Sequence, residues 1–162
     1  MPQSTLSKNS YITALRAGRV FSVTFEDEAV GAAPAQVEIL VRVGSGAGIL
    51  LGYAFAGGGD FWGALYDSPT LTDDGTTIPV VSRNRVNSIA SSGSAFSGPT
   101  VSVDGTKLTR IFLNTGNRFN AIDPLDIEAF GWVLSPGDYL VQWENHGGTP
   151  TDASLELLWI DL

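Results

Sequence analysis

WVLSPGDYLVQWENHGGTPTDASLELLWI, Trp132–Ile160, decides the fold class. Its large apolar residues recur at every second position. Tyr139, Val141 and Trp143 alternate with Leu140, Gln142 and Glu144, and Leu155, Leu157 and Trp159 fall together again. A period of two is that of a strand with one face buried. Ser135-Pro136-Gly137-Asp138 and Asn145-His146-Gly147-Gly148 are turns by residue type. The rhythm extends outward from this stretch. Ile127–Leu134 reads as a strand carrying Phe130 and Trp132. In Val20–Glu26, Phe21, Val23 and Phe25 oppose Ser22 and Thr24. In Val37–Val43, Val37, Ile39, Val41 and Val43 oppose Glu38 and Arg42. Ile49–Ala56 and Phe61–Tyr66 flank Gly57-Gly58-Gly59, which reads as a hairpin loop. Ile78–Ser82 and Leu108–Leu113 complete the set.

Eight or nine short strands without crossover helices predict an all-β protein, a two-sheet β-sandwich of jelly-roll type. Helical periodicity is nearly absent. Ser10 is placed to cap one short turn over Tyr11–Ala17, ended by Gly18. Residues 1–9 are polar and patternless and read as a flexible arm; residues 10–162 read as a single domain. The four tryptophans mostly fall in predicted strands and are expected to pack between sheets.

One phrase is written twice, thirty residues apart: SPTLTDDGTTI at Ser68–Ile78 and GPTVSVDGTKL at Gly98–Leu108. Asp-Gly favours a tight turn, because glycine takes positive φ and aspartate bonds the backbone beyond it. Each phrase therefore predicts a hairpin turning at Asp74-Gly75 or Asp104-Gly105. A calcium site at Asp73, Asp74 and Asp104 is the minor reading, since oxygen ligands at fixed spacing are missing.

Composition narrows the partners. With 43% hydrophobic residues in 162, the chain can build a core. Only 16% are charged, so the surface relies on Ser, Thr, Asn and Gly and is cheaply desolvated by a partner. The net charge of −8 argues against nucleic acid and against an anionic membrane. Cysteine is absent, which excludes disulfides and thiolate metal sites and fits synthesis in a reducing cytoplasm. MPQSTLSKNS has no apolar core region, so no secretory leader is expected. The longest apolar run, Gly46–Ala56, is interrupted by Gly48 and Gly52 and is too short to span a bilayer.

No catalytic set can be written down, and no enzyme, cofactor or metal is expected. His146 is the single histidine and sits in a glycine-rich loop, so a Ser-His-Asp triad would need it and a conventional zinc site fails. Gly44-Ser45-Gly46-Ala47-Gly48 lacks dinucleotide spacing and is followed by a strand-like run. Glu26-Asp27-Glu28 reads as a solvated turn at a strand end.

Tyr66–Arg85 (YDSPTLTDDGTTIPVVSRNR), Pro99–Leu108, Trp132–Gly148 and the closing Ser154–Leu162 (SLELLWIDL) resemble, in their order, small virion proteins of tailed bacteriophages. The resemblance covers about the last hundred residues. It implies a β-sandwich decoration, or cement, protein on the phage head, often trimeric, with the major capsid protein and its own copies as partners. Ser82-Arg83-Asn84-Arg85 corresponds to an Asn-Arg feature of that group. Candidate contacts with the shell or between copies are Tyr11, Arg16, Arg83, Asn84 and Arg85. The location implied is the virion surface, after synthesis in the host cytoplasm. The alternative is a carbohydrate- or receptor-binding β-sandwich of a tail or spike, which requires an exposed aromatic pair.

Overall fold

A computed structural model describes residues 8–32, 35–45, 48–114 and 132–162. Thirteen strands and one helix are found among them: α1 (Lys8–Arg16), β1 (Val20–Val30), β2 (Ala35–Val43), β3 (Ile49–Gly57), β4 (Asp60–Asp67), β5 (Thr70–Asp73), β6 (Thr76–Ile78), β7 (Val81–Ser82), β8 (Gly93–Ser97), β9 (Thr100–Val103), β10 (Thr106–Asn114), β11 (Trp132–Leu134), β12 (Gly137–Asn145) and β13 (Thr151–Asp161). The expected fold class holds: this is an all-β sandwich. One sheet runs β11-β3-β13-β1-β7, the other β10-β4-β12-β2-β8-β6. Eight of these strands form two four-stranded sheets in jelly-roll order, and the other five come from the segment between β4 and β10.

The alternation seen in the sequence sets which face is buried. Phe21, Val23, Ile39, Val41, Val141, Trp143, Leu155, Leu157 and Trp159 meet in one core between the sheets. Phe21 lies against Trp159 with ring centroids 6.5 Å apart. A smaller cluster lies on the outer side of the β1 sheet. There Val20, Leu158 and Ile160 are covered by Ala14 of α1, with Tyr11 and Leu15 packed against them.

Several local expectations change. Gly57-Gly58-Gly59 is not a hairpin loop, because β3 and β4 belong to different sheets and the glycines carry the chain across the sandwich. α1 begins at Lys8, so Ser10 lies in its first turn and does not cap it; Gly18, at φ +74°, ends the helix region as expected. Residues 8 and 9 thus belong to the helix, while the rest of the predicted arm lies outside the described residues, as do residues 127–131 of the Ile127–Leu134 strand. Pro79 follows β6 and separates it from β7 within Ile78–Ser82. Glu26-Asp27-Glu28 is no turn but part of β1, with a register shift between Asp27 and Val30.

The two repeated phrases form neither predicted hairpin. β5 pairs with β9, so the first halves of the phrases pair with each other. Their second halves part: β6 pairs with β8 at one edge of the six-stranded sheet, and β10 pairs with β4 at the other. A local two-fold relates the halves, and its axis passes through the β2–β12 pair Leu40↔Leu140. Leu40 faces Phe96 and Leu140 faces Tyr66, again thirty residues apart. Ser68 N donates to Asp138 O at 3.0 Å and Gly98 N to Glu38 O at 3.2 Å. Thr72 Oγ1 donates to Thr100 O, and Ser102 Oγ to Thr70 O. Ser68 and Gly98 have φ +57° and +61°, and Gly75 and Gly105 have +88° and +92°.

Leu40 and Leu140 point away from the main core, since they alternate with Ile39, Val41 and Val141, yet both are fully buried. The β5–β9 ribbon runs on that side of the sheet, where Arg42 bonds Asp74. It leaves β4 beside Asp138, crosses the outer face, and arrives beside β8. Leu71 and Val101, paired and half-buried, are its matching apolar residues. Arg42, on that same face, holds the ribbon's first turn. Its Nη1 donates to Asp74 Oδ2 at 2.6 Å and its Nε to Asp138 Oδ1 at 2.7 Å.

Candidate functional site

The candidate contact residues come from two segments far apart in sequence, Tyr11 with Arg16 and Arg83–Arg85, and the fold brings the segments to one end of the molecule. Asn84 is the joint. Its Nδ2 donates to the carbonyls of Leu15 and Arg16 at 3.0 and 3.1 Å, satisfying acceptors left open at the end of α1. Its Oδ1 accepts from the amides of Val86 and Asn87, both at 2.9 Å, and so shapes the loop after β7. A side chain on Gly18 would run into the Asn87 carbonyl, which shows how closely loop and helix end approach. Arg83 N donates to Val20 O at 2.8 Å, and its guanidinium pairs with Glu156 of β13.

Their roles divide. Tyr11 is half-buried against the small outer cluster, and Asn84 is consumed by backbone bonds, so both build the end more than they present it. Arg16 and Arg85 are exposed, and their guanidinium groups make no hydrogen bond or ion pair with another described residue. Around them stand exposed apolar side chains that the sequence reading missed: Val86 at 89%, Ile89 at 48% and Ile12 at 37%. Ile12 lies four residues before Arg16, on the same side of α1. The available signal was a valine and an isoleucine inside the polar run Arg83–Ser92. Beside this surface, a cleft of about 360 Å³ is lined by Ser10, Thr13, Arg19 and Asp161. Arg19 Nη1 donates to the Asp161 carbonyl at 3.3 Å, and Asp161 Oδ2 accepts from Ser92 N at 2.8 Å.

The turn residues lie elsewhere. Asp74-Gly75 and Asp104-Gly105 close opposite ends of the β5–β9 ribbon, so Asp73, Asp74 and Asp104 do not share a cation site. Asp73 Oδ1 accepts from Gly75 N at 2.7 Å. Hydrogen bonding from Arg42 holds the Asp74 carboxyl below the ordinary carboxylate range, and Asp138 together with Asp74 holds Arg42 above its ordinary value. Among the described residues no three His, Cys, Asp or Glu side chains gather to hold a metal ion. No helix among them is long and apolar enough to cross a membrane.

His146 sits beside Trp62 and Glu144. Its Nε2 is 3.1 Å from Glu144 Oε1, and its ring meets Trp62 edge-on at 5.5 Å. Arg110 lies over a face of Trp62, its guanidinium carbon 3.7 Å from the ring centroid. Trp143 and Trp159 are core residues, and Trp132 packs against that core. No protein-family model matches the chain, and no curated protein matches it either.

Proposed function

We propose that the chain is a non-enzymatic structural protein that docks on the outside of a tailed-bacteriophage head and stabilises it, as a capsid decoration protein. The observation that carries this reading is the end built from α1 and the loop after β7. There, Arg16 and Arg85, whose guanidinium groups have no partner among the described residues, stand beside the exposed apolar side chains Val86, Ile89 and Ile12. Large apolar groups left in water beside arginine are the composition of a protein–protein contact. The order of phrases from Tyr66 to Leu162 that resembles phage virion proteins points to the head as partner. A jelly-roll built around a filled core suits a part that adds contact area and needs no substrate pocket. Copies clustered about a capsid axis, as the implied trimer would be, add their weak contacts through avidity.

A carbohydrate-binding module is less well supported. Stacking on a sugar needs an open aromatic face. Two tryptophans lie in the core, a third packs on it, and Arg110 covers the fourth.

The test is reconstitution on phage heads that lack the chain. Cryo-EM maps with and without added protein should differ by density at three-fold or quasi-three-fold positions on the outer surface. Heads that take up no protein, or density on the tail alone, would overturn the assignment.

A further inference from the structure

We propose that the surface met by this end is itself protein and acidic, with carboxylates around an apolar depression that receives Val86 and Ile89. The proposal rests on the docking reading above and names its partner's chemistry. Nine basic residues serve the whole chain against seventeen acidic ones, yet Arg16, Arg19, Arg83 and Arg85 all gather here. Among the described residues Glu156 pairs with Arg83, and Asp161 Oδ2 accepts from the Ser92 amide. Among the described residues nothing pairs with the guanidinium groups of Arg16 and Arg85, which stand beside Val86, 89% exposed, and Ile89, 48% exposed.

The rest of the molecule reinforces the choice. A body of net charge −8 is repelled overall by an acidic surface, and least when its basic end leads. Attraction at one end and repulsion elsewhere fix how the protein lands, and electrostatics of this kind sets orientation and on-rate. A phosphate polymer fits less well. Nucleic-acid binding draws on roughly six to ten phosphate contacts, and an anionic bilayer offers about 1 kcal/mol per cation. Two such arginines on a strongly acidic body fall short of both. Apolar anchors rimmed by arginine instead match the centre of a protein interface.

The experiment maps amide NMR shifts on the whole chain at low salt. The probe is a synthetic peptide with a leucine stripe flanked by glutamates. Comparison probes are the same peptide with lysine for glutamate, a DNA duplex, and phosphatidylglycerol vesicles. The expected result is saturable shifts confined to Ile12–Arg16 and Arg85–Ile89 with the glutamate peptide alone. The double variant Arg16→Glu/Arg85→Glu should weaken that binding by roughly tenfold or more. Val86→Asp, at an exposed position, should weaken it while leaving the melting temperature unchanged. Equal binding of the lysine peptide, shifts at another surface, or tighter binding of DNA or vesicles would each overturn the proposal. The same double variant is then tried on heads. Unchanged occupancy sinks the acidic-partner inference and leaves decoration standing. Peptide binding at this end, with heads that never take up the wild-type chain, sinks decoration and leaves the inference standing.

Discussion

Gly75 and Gly105 occupy one conformation twice, and each has a backbone carbonyl where a Cβ would stand: Ser97 for the first, Asp67 for the second. An alanine at either must pay for left-handed φ and push a strand end aside. Gly75→Ala and Gly105→Ala should each cost about 2 kcal/mol or more, read from urea unfolding. A loss below about 0.5 kcal/mol would mean that the ribbon crosses differently. Asn84 acts at the same scale. Alanine there strands two helix-end carbonyls and two loop amides, and should cost about 1–3 kcal/mol. A merely exposed asparagine would cost almost nothing.

At the scale of the element, the β5–β9 ribbon is symmetric in backbone and asymmetric in charge. Arg42 has Gln142 as its two-fold mate, and Gln142 donates to Glu38 Oε1 at 2.9 Å while accepting from the Tyr66 hydroxyl. Only the first turn is held by an ion pair. The Asp74 carboxyl is depressed by Arg42, so its stabilising contribution is present above the ordinary carboxylate value near ~4 and is lost as pH falls through the lower folded value. Arg42→Gln should therefore lower the hydrogen-exchange protection of β5 amides at neutral pH. The difference from wild type should vanish in acid, once Asp74 is protonated in both. A difference that persists in acid would assign Arg42 a packing role against Phe96, whose ring centroid is 5.5 Å from its guanidinium carbon.

Across the whole molecule, β13 joins the five-stranded sheet by pairing with both β1 and β3, and its Trp159 is fully buried between the sheets. That sheet cannot come apart piece by piece. Tryptophan fluorescence and far-UV circular dichroism should therefore give coincident unfolding midpoints. Trp159→Ala should lower stability by about 3–5 kcal/mol and shift both midpoints together. Separated midpoints would show that the ribbon or one sheet unfolds on its own.

The sequence by itself marked the principal strands, the inward faces of β1, β2, β12 and β13, and the fold class, because period-two alternation is a local consequence of burying one side of an extended chain; it gave no sign of β8. It also marked the positions of Asp74-Gly75 and Asp104-Gly105 as turns. Only the tertiary structure decided which strands pair. Gly57–Gly59 looked like a hairpin and proved a crossing between sheets; the repeated phrases looked like two hairpins, but their first halves pair as one ribbon and their second halves part to opposite edges of a sheet. Turn chemistry says where a chain bends and is silent about which partner it meets afterwards. Likewise the sequence proposed Tyr11, Arg16, Arg83, Asn84 and Arg85 as contacts, but their convergence depends on Asn84 reaching Leu15, 69 positions away. Pairing and convergence are settled by contacts between segments distant in sequence, and those contacts exist only in the assembled molecule.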